Sequence, residues 1–335
     1  MITRVLVRAP VRVLDAGGWT DTWFAGQGAV CHLAVDEGVE VLALRSERSS
    51  VGEVAAVDLR VSSFGDRYRF TLNEPPGRHP LLESALRRWA PLGWHLQVTV
   101  ASAVPPGSGL GTSASVVVAL IAALQALAGE SLDPGGIARA AHQIENVDVG
   151  LQTGVQDQIA AAYGGSNLIT IDPYPDVDIR ALDLPPATWD ALGHRLVTVY
   201  LGAPHRSSAV HEAVIARLLG VDGGRLLAPL AAAAHQAAAA LVAGDLDAYG
   251  RAMMANTEAQ AALHPDLLNP LAREVFAMAE RFGAAGGKVN GAGGSVTIVG
   301  PEDPGPLADA LESIAALSRV PHVPARAGAR IVDQA

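Results

Sequence analysis

The chain has 335 residues, half of them hydrophobic and 17% charged, with 24 Lys and Arg against 34 Asp and Glu for a net charge of −10. That length implies about two domains with ample core, and that composition excludes intrinsic disorder. The acidic balance argues against sequence-independent nucleic-acid binding and against an anionic membrane surface as partner.

Runs rich in valine and leucine predict short strands at 5–8, 29–35 and 39–45, and two more within 58–70 around Gly65-Asp66. An amphipathic helix is predicted over 80–89 and an alternating strand over 95–102. A glycine-rich turn, 105–112, leads into a long apolar helix over 113–128. Asp133-Pro134, a cap followed by a first-turn proline, opens a helix over 133–146. The turn-rich stretch 172–186 is the candidate junction, which divides the chain into domains 1–185 and 186–335. Beyond it come a strand over 194–201 and helices over 208–219, 227–243, 246–263 and 270–282. Strands over 288–290 and 296–299 flank a second glycine turn, and a helix over 306–317 and a strand over 329–332 follow. Strands, then helices and strands, give two α+β domains.

The lone cysteine, Cys31, excludes an intramolecular disulfide and a zinc cluster, and its apolar neighbours read as core. The start, Met1-Ile2-Thr3-Arg4, opens no apolar signal segment. The apolar stretch 116–124 is too short to span a bilayer, so a soluble, cytoplasmic protein is expected. Only one lysine, Lys288, is present, and Val289 follows it. The Gly-Lys-Thr/Ser phosphate loop is therefore excluded.

The strongest chemical signal is Pro106-Gly107-Ser108-Gly109-Leu110-Gly111-Thr112-Ser113-Ala114-Ser115. Alternate glycines let the backbone approach an anion, and the helix that follows adds free N–H donors and a partial positive charge. Thr112, Ser113 and Ser115 add hydroxyls where a phosphate or a magnesium ion would lie. The bland alternative is a strand–helix turn with a Ser/Thr cap. His142, His211 and His235 show no metal spacing and read as structural or surface residues.

Three segments in order resemble the GHMP kinases: the glycine run itself, residues 8–22 with Ala16-Gly17-Gly18-Trp19-Thr20-Asp21-Thr22, and Lys288-Val289-Asn290-Gly291-Ala292-Gly293-Gly294. The nearest branches are the L-fucokinases, L-arabinokinases and heptose-7-phosphate kinases. The resemblance implies an α+β GHMP kinase fold, with a ribosomal protein S5 domain 2-like N-terminal domain and a ferredoxin-like C-terminal domain. It implies ATP and Mg²⁺ as cofactors and a small-molecule sugar or sugar phosphate as partner, in a monomer or homodimer. The implied reaction is phosphoryl transfer to the anomeric C1 hydroxyl.

By the same resemblance Asp157 is the catalytic base, and Arg12 holds it ionised or stabilises the γ-phosphate. Asp21, Thr20 and Gly18 belong to the sugar site; a turn-capping role is the alternative for Asp21. Arg206, in His205-Arg206-Ser207-Ser208, is a candidate contact for a phosphate on the substrate, and the serines alone would make a helix cap. Ser113 and Glu145 are implied as magnesium ligands, with a solvated helix position as the alternative for Glu145. Gly291 and Gly293 join the glycine run in the ATP site. Trp23 stands where relatives carry a proline-rich turn, which gives the expectation of a differently shaped sugar pocket. The alternatives are a mevalonate-like kinase of a non-sugar alcohol and a non-catalytic galactokinase-like sensor.

Overall fold

A computed structural model describes residues 2–48, 54–91, 93–202, 207–220 and 222–335. In chain order the first part holds β1 (Arg4–Ala16), β2 (Gly28–Arg48), β3 (Ala56–Val61), β4 (Asp66–Thr71), α1 (Pro80–Trp89), β5 (Trp94–Ser102), α2 (Thr112–Ala128) and α3 (Pro134–Gln143). A π-helical turn, Ile144–Asp148, precedes α4 (Gln156–Tyr163), β6 (Ser166–Ile171) and β7 (Val177–Ala181). There follow α5 (Pro186–Arg195), β8 (Leu196–Tyr200), α6 (Ser207–Leu218), α7 (Gly223–Ala243), α8 (Leu246–Leu263) and α9 (Pro270–Arg281). The last elements are β9 (Gly286–Val289), β10 (Ser295–Val299), α10 (Gly305–Glu312), β11 (Ser318–Arg319) and β12 (Arg330–Gln334).

Two sheets organise these elements. The larger runs β12-β1-β2-β5-β3-β4, with β6 and β7 continuing from the other end of β2; the smaller runs β11-β8-β10-β9. Two predicted strands are in fact one. The 21-residue β2 runs straight through Asp36-Glu37-Gly38, pairing with β6 in its first half and β5 in its second. Polar residues at 36 and 37 look like a turn in sequence. The register shift on β1 falls between Ala9 and Val11, where Pro10 lacks a donor, and Gly38 sits opposite. A Cβ at Gly38 would lie 2.2 Å from the Ala9 carbonyl oxygen, so only glycine lets the two strands stay this close.

Helix α2 is apolar on every side and lies across β1 and β2 in the main core. That core contains Cys31, fully buried as expected. Several boundaries differ from the sequence reading, most of all that of β1, which runs to Ala16 where a strand over 5–8 is expected. Residues 194–195 close α5, which Pro186 opens at its first position, and the strand starts only at Leu196. The helix of 133–146 ends at Gln143 and widens into the π turn, which turns Glu145 inward. The helix near 306–317 ends at Glu312, and the chain then folds back to form β11.

Among the described residues, α7 is long and apolar enough to cross a membrane by length and composition. It packs against α8 and β2, with Leu230, Ala234, Ala237 and Leu241 buried. Strand β12 returns across the molecule to pair antiparallel with β1, so residues after 186 contribute to both sheets.

Candidate active site

The glycine run adopts the backbone its residues demand. Gly107, Gly109 and Gly111 all have φ near +75°, a left-handed conformation that L side chains rarely adopt. Gly111 caps α2, and the first turn of that 17-residue helix opens toward the loop. The second glycine motif packs directly on the first. A Cβ on Gly109 would meet the Gly293 carbonyl oxygen at 2.3 Å, and one on Gly294 would meet the Gly107 carbonyl oxygen at 2.0 Å. The Ser295 hydroxyl donates to the Ser108 carbonyl at 2.6 Å. Gly291 lines the cleft described below; Gly293 serves as backbone support for the loop.

The side chains of the run divide. Pro106, Gly107, Thr112 and Ser113 line a pocket of about 350 Å³. Leu110 and Ala114 are core residues. The Ser115 hydroxyl donates to the Pro10 and Gly111 carbonyls at 2.7 and 3.1 Å, which ties α2 to β1 and turns the hydroxyl away from any phosphate.

Asp157 lies in the first turn of α4, beneath Gly111, whose Cβ would be 3.1 Å from the Asp157 Cγ. Arg12 reaches it from β1. Its Nε donates to Oδ1 at 2.8 Å and its Nη2 to Oδ2 at 3.3 Å, a two-pronged pairing, while Nη1 donates to the Gly109 carbonyl. One guanidinium therefore joins the candidate base to the glycine loop. Arg12 is 4% exposed; burial alone would weaken its charge, but Asp15 and Asp157 more than offset this and raise its pKa.

Asp21 completes the cleft. The backbone N–H of Gln156 donates to its Oδ2 at 3.1 Å, so it does cap a helix start, but across 135 residues of chain and not within its own turn. Burial pushes its carboxyl up to about 6. Gly154 lies against it, where a Cβ would fall 2.0 Å from Oδ2. Arg12, Gly18, Asp21, Asp157 and Gly291 border a common cavity of about 150 Å³. Thr20 is not brought there: its hydroxyl donates to the Gly17 and Ala29 carbonyls at 2.7 and 3.0 Å and holds the loop in shape. Arg206 lies outside the described residues.

Glu145 is 1% exposed, which removes the solvated-helix alternative. Its Oε2 accepts from Gln158 Nε2 at 2.5 Å and Thr153 Oγ1 at 3.0 Å. Its Oε1 is buried with no hydrogen-bond partner among the described residues, as is the Thr112 hydroxyl. Burial raises the Glu145 carboxyl to about 7. Glu145 thus has one buried carboxylate oxygen without a donor, and Ser113 is exposed at the start of α2; these are the two oxygens the resemblance implies for a cation that takes few protein ligands beside phosphate.

Several residues in and around the cleft are not among the expected site residues. Trp19 and His211 line the cleft and meet edge to face at 5.0 Å, so His211 is not the plain structural or surface residue its spacing implied. Trp23 was expected to reshape the sugar pocket; it is 45% exposed and faces a different cavity, of about 830 Å³, beside Tyr174 and His142. Asp15 and Lys288 form a buried ion pair at 3.1 Å beneath Arg12. Burial alone would raise the Asp15 carboxyl, but Arg12 and Lys288 hold it below the ordinary range.

Residues 81–165 match the GHMP kinases N terminal domain and residues 237–316 the GHMP kinases C terminal domain. A galactokinase from Roseiflexus sp. (strain RS-1) is 28% identical over 296 residues, covering 78% of this chain and 73% of that protein. A D-glycero-alpha-D-manno-heptose 7-phosphate kinase from Campylobacter jejuni is 26% identical over 57% of each chain. The crystal structure of a D-glycero-D-manno-heptose 1-phosphate kinase from Bacteriodes thetaiotaomicron superposes with a TM-score of 0.77 over 98% of this chain and 99% of that one, at 22% identity, a likeness of fold. With both domain types present in order and the same fold throughout, the chain belongs to the GHMP kinases.

Proposed function

We propose that the protein is an ATP-dependent sugar kinase that transfers the γ-phosphate to the anomeric C1 hydroxyl of a free sugar or of a heptose 7-phosphate. The observation that carries this reading is the Arg12 fork on Asp157, set between the glycine loop at Gly109 and the cleft that holds Asp21. Phosphoryl transfer needs an oriented hydroxyl, an acceptor for its proton and donors around the phosphates, with little covalent chemistry beyond that.

In this reading the backbone of Gly107 to Gly111 and the start of α2 hold the triphosphate. The neighbouring pocket of about 350 Å³ lies against Pro106, Val116, Leu82 and Phe64, an apolar lining suited to the nucleotide base. Asp21 accepts hydrogen bonds from sugar hydroxyls as the carboxylate. Asp157 takes the proton of the attacking hydroxyl. Arg12 keeps both Asp157 oxygens fixed and draws the loop toward them. Ser113 and Glu145 would hold Mg²⁺, which supplies charge neutralisation on the transferred phosphoryl group. We also propose residues 1–185 and 186–335 as the two domains, with the strand of 330–334 crossing back into the first.

The test is Mg-ATP consumption against L-fucose, L-arabinose, galactose, glucuronic acid, mannose and D-manno-heptose 7-phosphate, with Asp157→Ala as control. The expected result is turnover of one sugar, abolished by the substitution, with an acid-labile anomeric phosphate in the phosphorus NMR spectrum. ATP binding with no turnover on any sugar would favour a sensor. Turnover that survives Asp157→Ala would mean another group takes the proton.

A further inference from the structure

Four charged groups of alternating sign lie in a row beneath the cleft. Lys288 Nζ is 3.1 Å from Asp15 Oδ1, Asp15 is 3.7 Å from Arg12 Nη1, and Arg12 Nε is 2.8 Å from Asp157 Oδ1. Lys288, Asp15 and Arg12 are 0%, 1% and 4% exposed, while Asp157 opens to the cleft. We propose that Lys288, acting through Asp15, is a positioning residue that keeps the Arg12 guanidinium on Asp157 and on the glycine loop. The activity it supports is the kinase reading given above.

The argument starts from which members of the row can move. Lys288 is fixed: besides Asp15, its ammonium donates to Gln260 Oε1 at 3.0 Å and to the Val289 carbonyl at 2.8 Å. Asp15 is fixed as well, because the Gly291 N–H donates to its carboxylate at 3.2 Å. Arg12 alone has two carboxylates within reach. It directs two donors to Asp157 and one to Gly109, and leaves Asp15 at a distance too long for a hydrogen bond. That choice is reasonable only while Asp15 has another cation. A buried carboxylate without a partner is strongly destabilising. With the Lys288 charge gone, Arg12 is the nearest cation left to Asp15. Turning toward it opens the fork on Asp157 and releases the Gly109 carbonyl. The one lysine of the chain, with no access to solvent and no contact with the cleft, thereby acts on the reacting groups at two removes.

The experiment compares wild type, Lys288→Met and the double variant Asp15→Asn/Lys288→Met, with two readouts. The first is kcat and KM for both substrates, taken well below each Tm. The second is the Arg12 Nε–H resonance, assigned by its loss in Arg12→Lys, which needs no turnover. Lys288→Met is expected to lower kcat about 10- to 100-fold, the scale of an ångström-size misplacement, with either KM changed less than about threefold. The Arg12 resonance shifts. In the double variant the rival carboxylate is gone, so kcat and the resonance return toward wild type. If Lys288→Met does not fold, Lys288→Gln keeps a donor to Asp15 without the charge and is expected to show the same changes in smaller measure.

A merely structural role lowers Tm and leaves kcat of the folded protein and the resonance unmoved; that result overturns the proposal. A shifted resonance in a protein whose wild type phosphorylates no sugar would uphold the positioning role and overturn the kinase reading. Wild-type turnover with an unmoved resonance does the reverse.

Discussion

Replacing Asp21 with asparagine is expected to make the protein more stable at neutral pH and less able to hold its sugar. Asp21 is 2% exposed, and burial raises its carboxyl from 3.8 to about 6. The folded state therefore holds the proton more tightly than the unfolded chain does. Where the native state binds more protons, stability falls as pH rises. The loss develops between pH 3.8 and about 6 and is complete above that. At about 1.4 kcal/mol for each pH unit, the rise corresponds to about 3 kcal/mol at pH 7. Asparagine keeps the shape and the oxygen that accepts the Gln156 N–H, and has no charge to desolvate. The expected gain is about 1–3 kcal/mol, at roughly 2–4 °C in Tm for each kcal/mol. Calorimetry at pH 7.5 and pH 4 reads it, and the advantage of the variant should shrink toward zero at the lower pH. A charge-assisted hydrogen bond is lost to the sugar at the same time, worth about 1.5–3 kcal/mol, so KM for the sugar rises roughly 10- to 100-fold. A Tm difference that ignores pH would refute the burial argument, and an unchanged KM would refute the sugar role.

Gly154→Ala places a methyl group 2.0 Å from Asp21 Oδ2 at a position without a left-handed backbone, so its effect is steric and local. KM for the sugar should rise about tenfold or more while KM for ATP holds, as initial-rate kinetics would read. Gly294→Ala, with φ at +96° and a Cβ 2.0 Å from the Gly107 carbonyl, should weaken Mg-ATP binding at least about tenfold by calorimetric titration, because the loop must yield. Arg12→Lys cannot reproduce a two-pronged pairing and should lower kcat by about 10²-fold or more in the same rate assay, with ATP binding retained. The Glu145 carboxyl, raised to about 7, must ionise to hold a cation, so the Mg²⁺ concentration for half-maximal rate should climb as pH falls below 7; Glu145→Gln should abolish that dependence.

What could be read from sequence was what repeats or punctuates locally. Helix α1 falls on its predicted limits because Pro80 sits at its first position and the apolar spacing stops at Trp89. The alternating glycines mark the loop in the sequence, and in the structure Gly107, Gly109 and Gly111 all adopt the left-handed backbone that glycine permits. By contrast, β2 reads in sequence as two strands and a turn, because Asp36-Glu37-Gly38 interrupts its apolar run. The helix α5 was hidden because Pro185-Pro186 signals a turn and a helix start alike. At the site, resemblance to the family brought Asp21, Asp157 and Arg12 into view; the same resemblance promoted Thr20, and the glycine-run pattern promoted Ser115, whose hydroxyls hold the loop and the helix. Asp15 and Lys288 escaped because their meaning lies in a contact between segments about as far apart as Asp15 and Gly291, which are separated by 276 positions. No spacing rule reaches that far.

The pairing of β12 with β1 bears on how such a chain is made. Strand β1 carries Arg12, and its outer neighbour in the sheet is residues 330–334. During synthesis β1 (Arg4–Ala16) emerges long before β12 (Arg330–Gln334), the strand that covers that edge. Contacts of this sequence separation slow folding, and an open strand edge in the meantime invites pairing with other chains. Arg4 and Arg8 place charge along β1, and charged side chains on an open strand disfavour pairing with other chains.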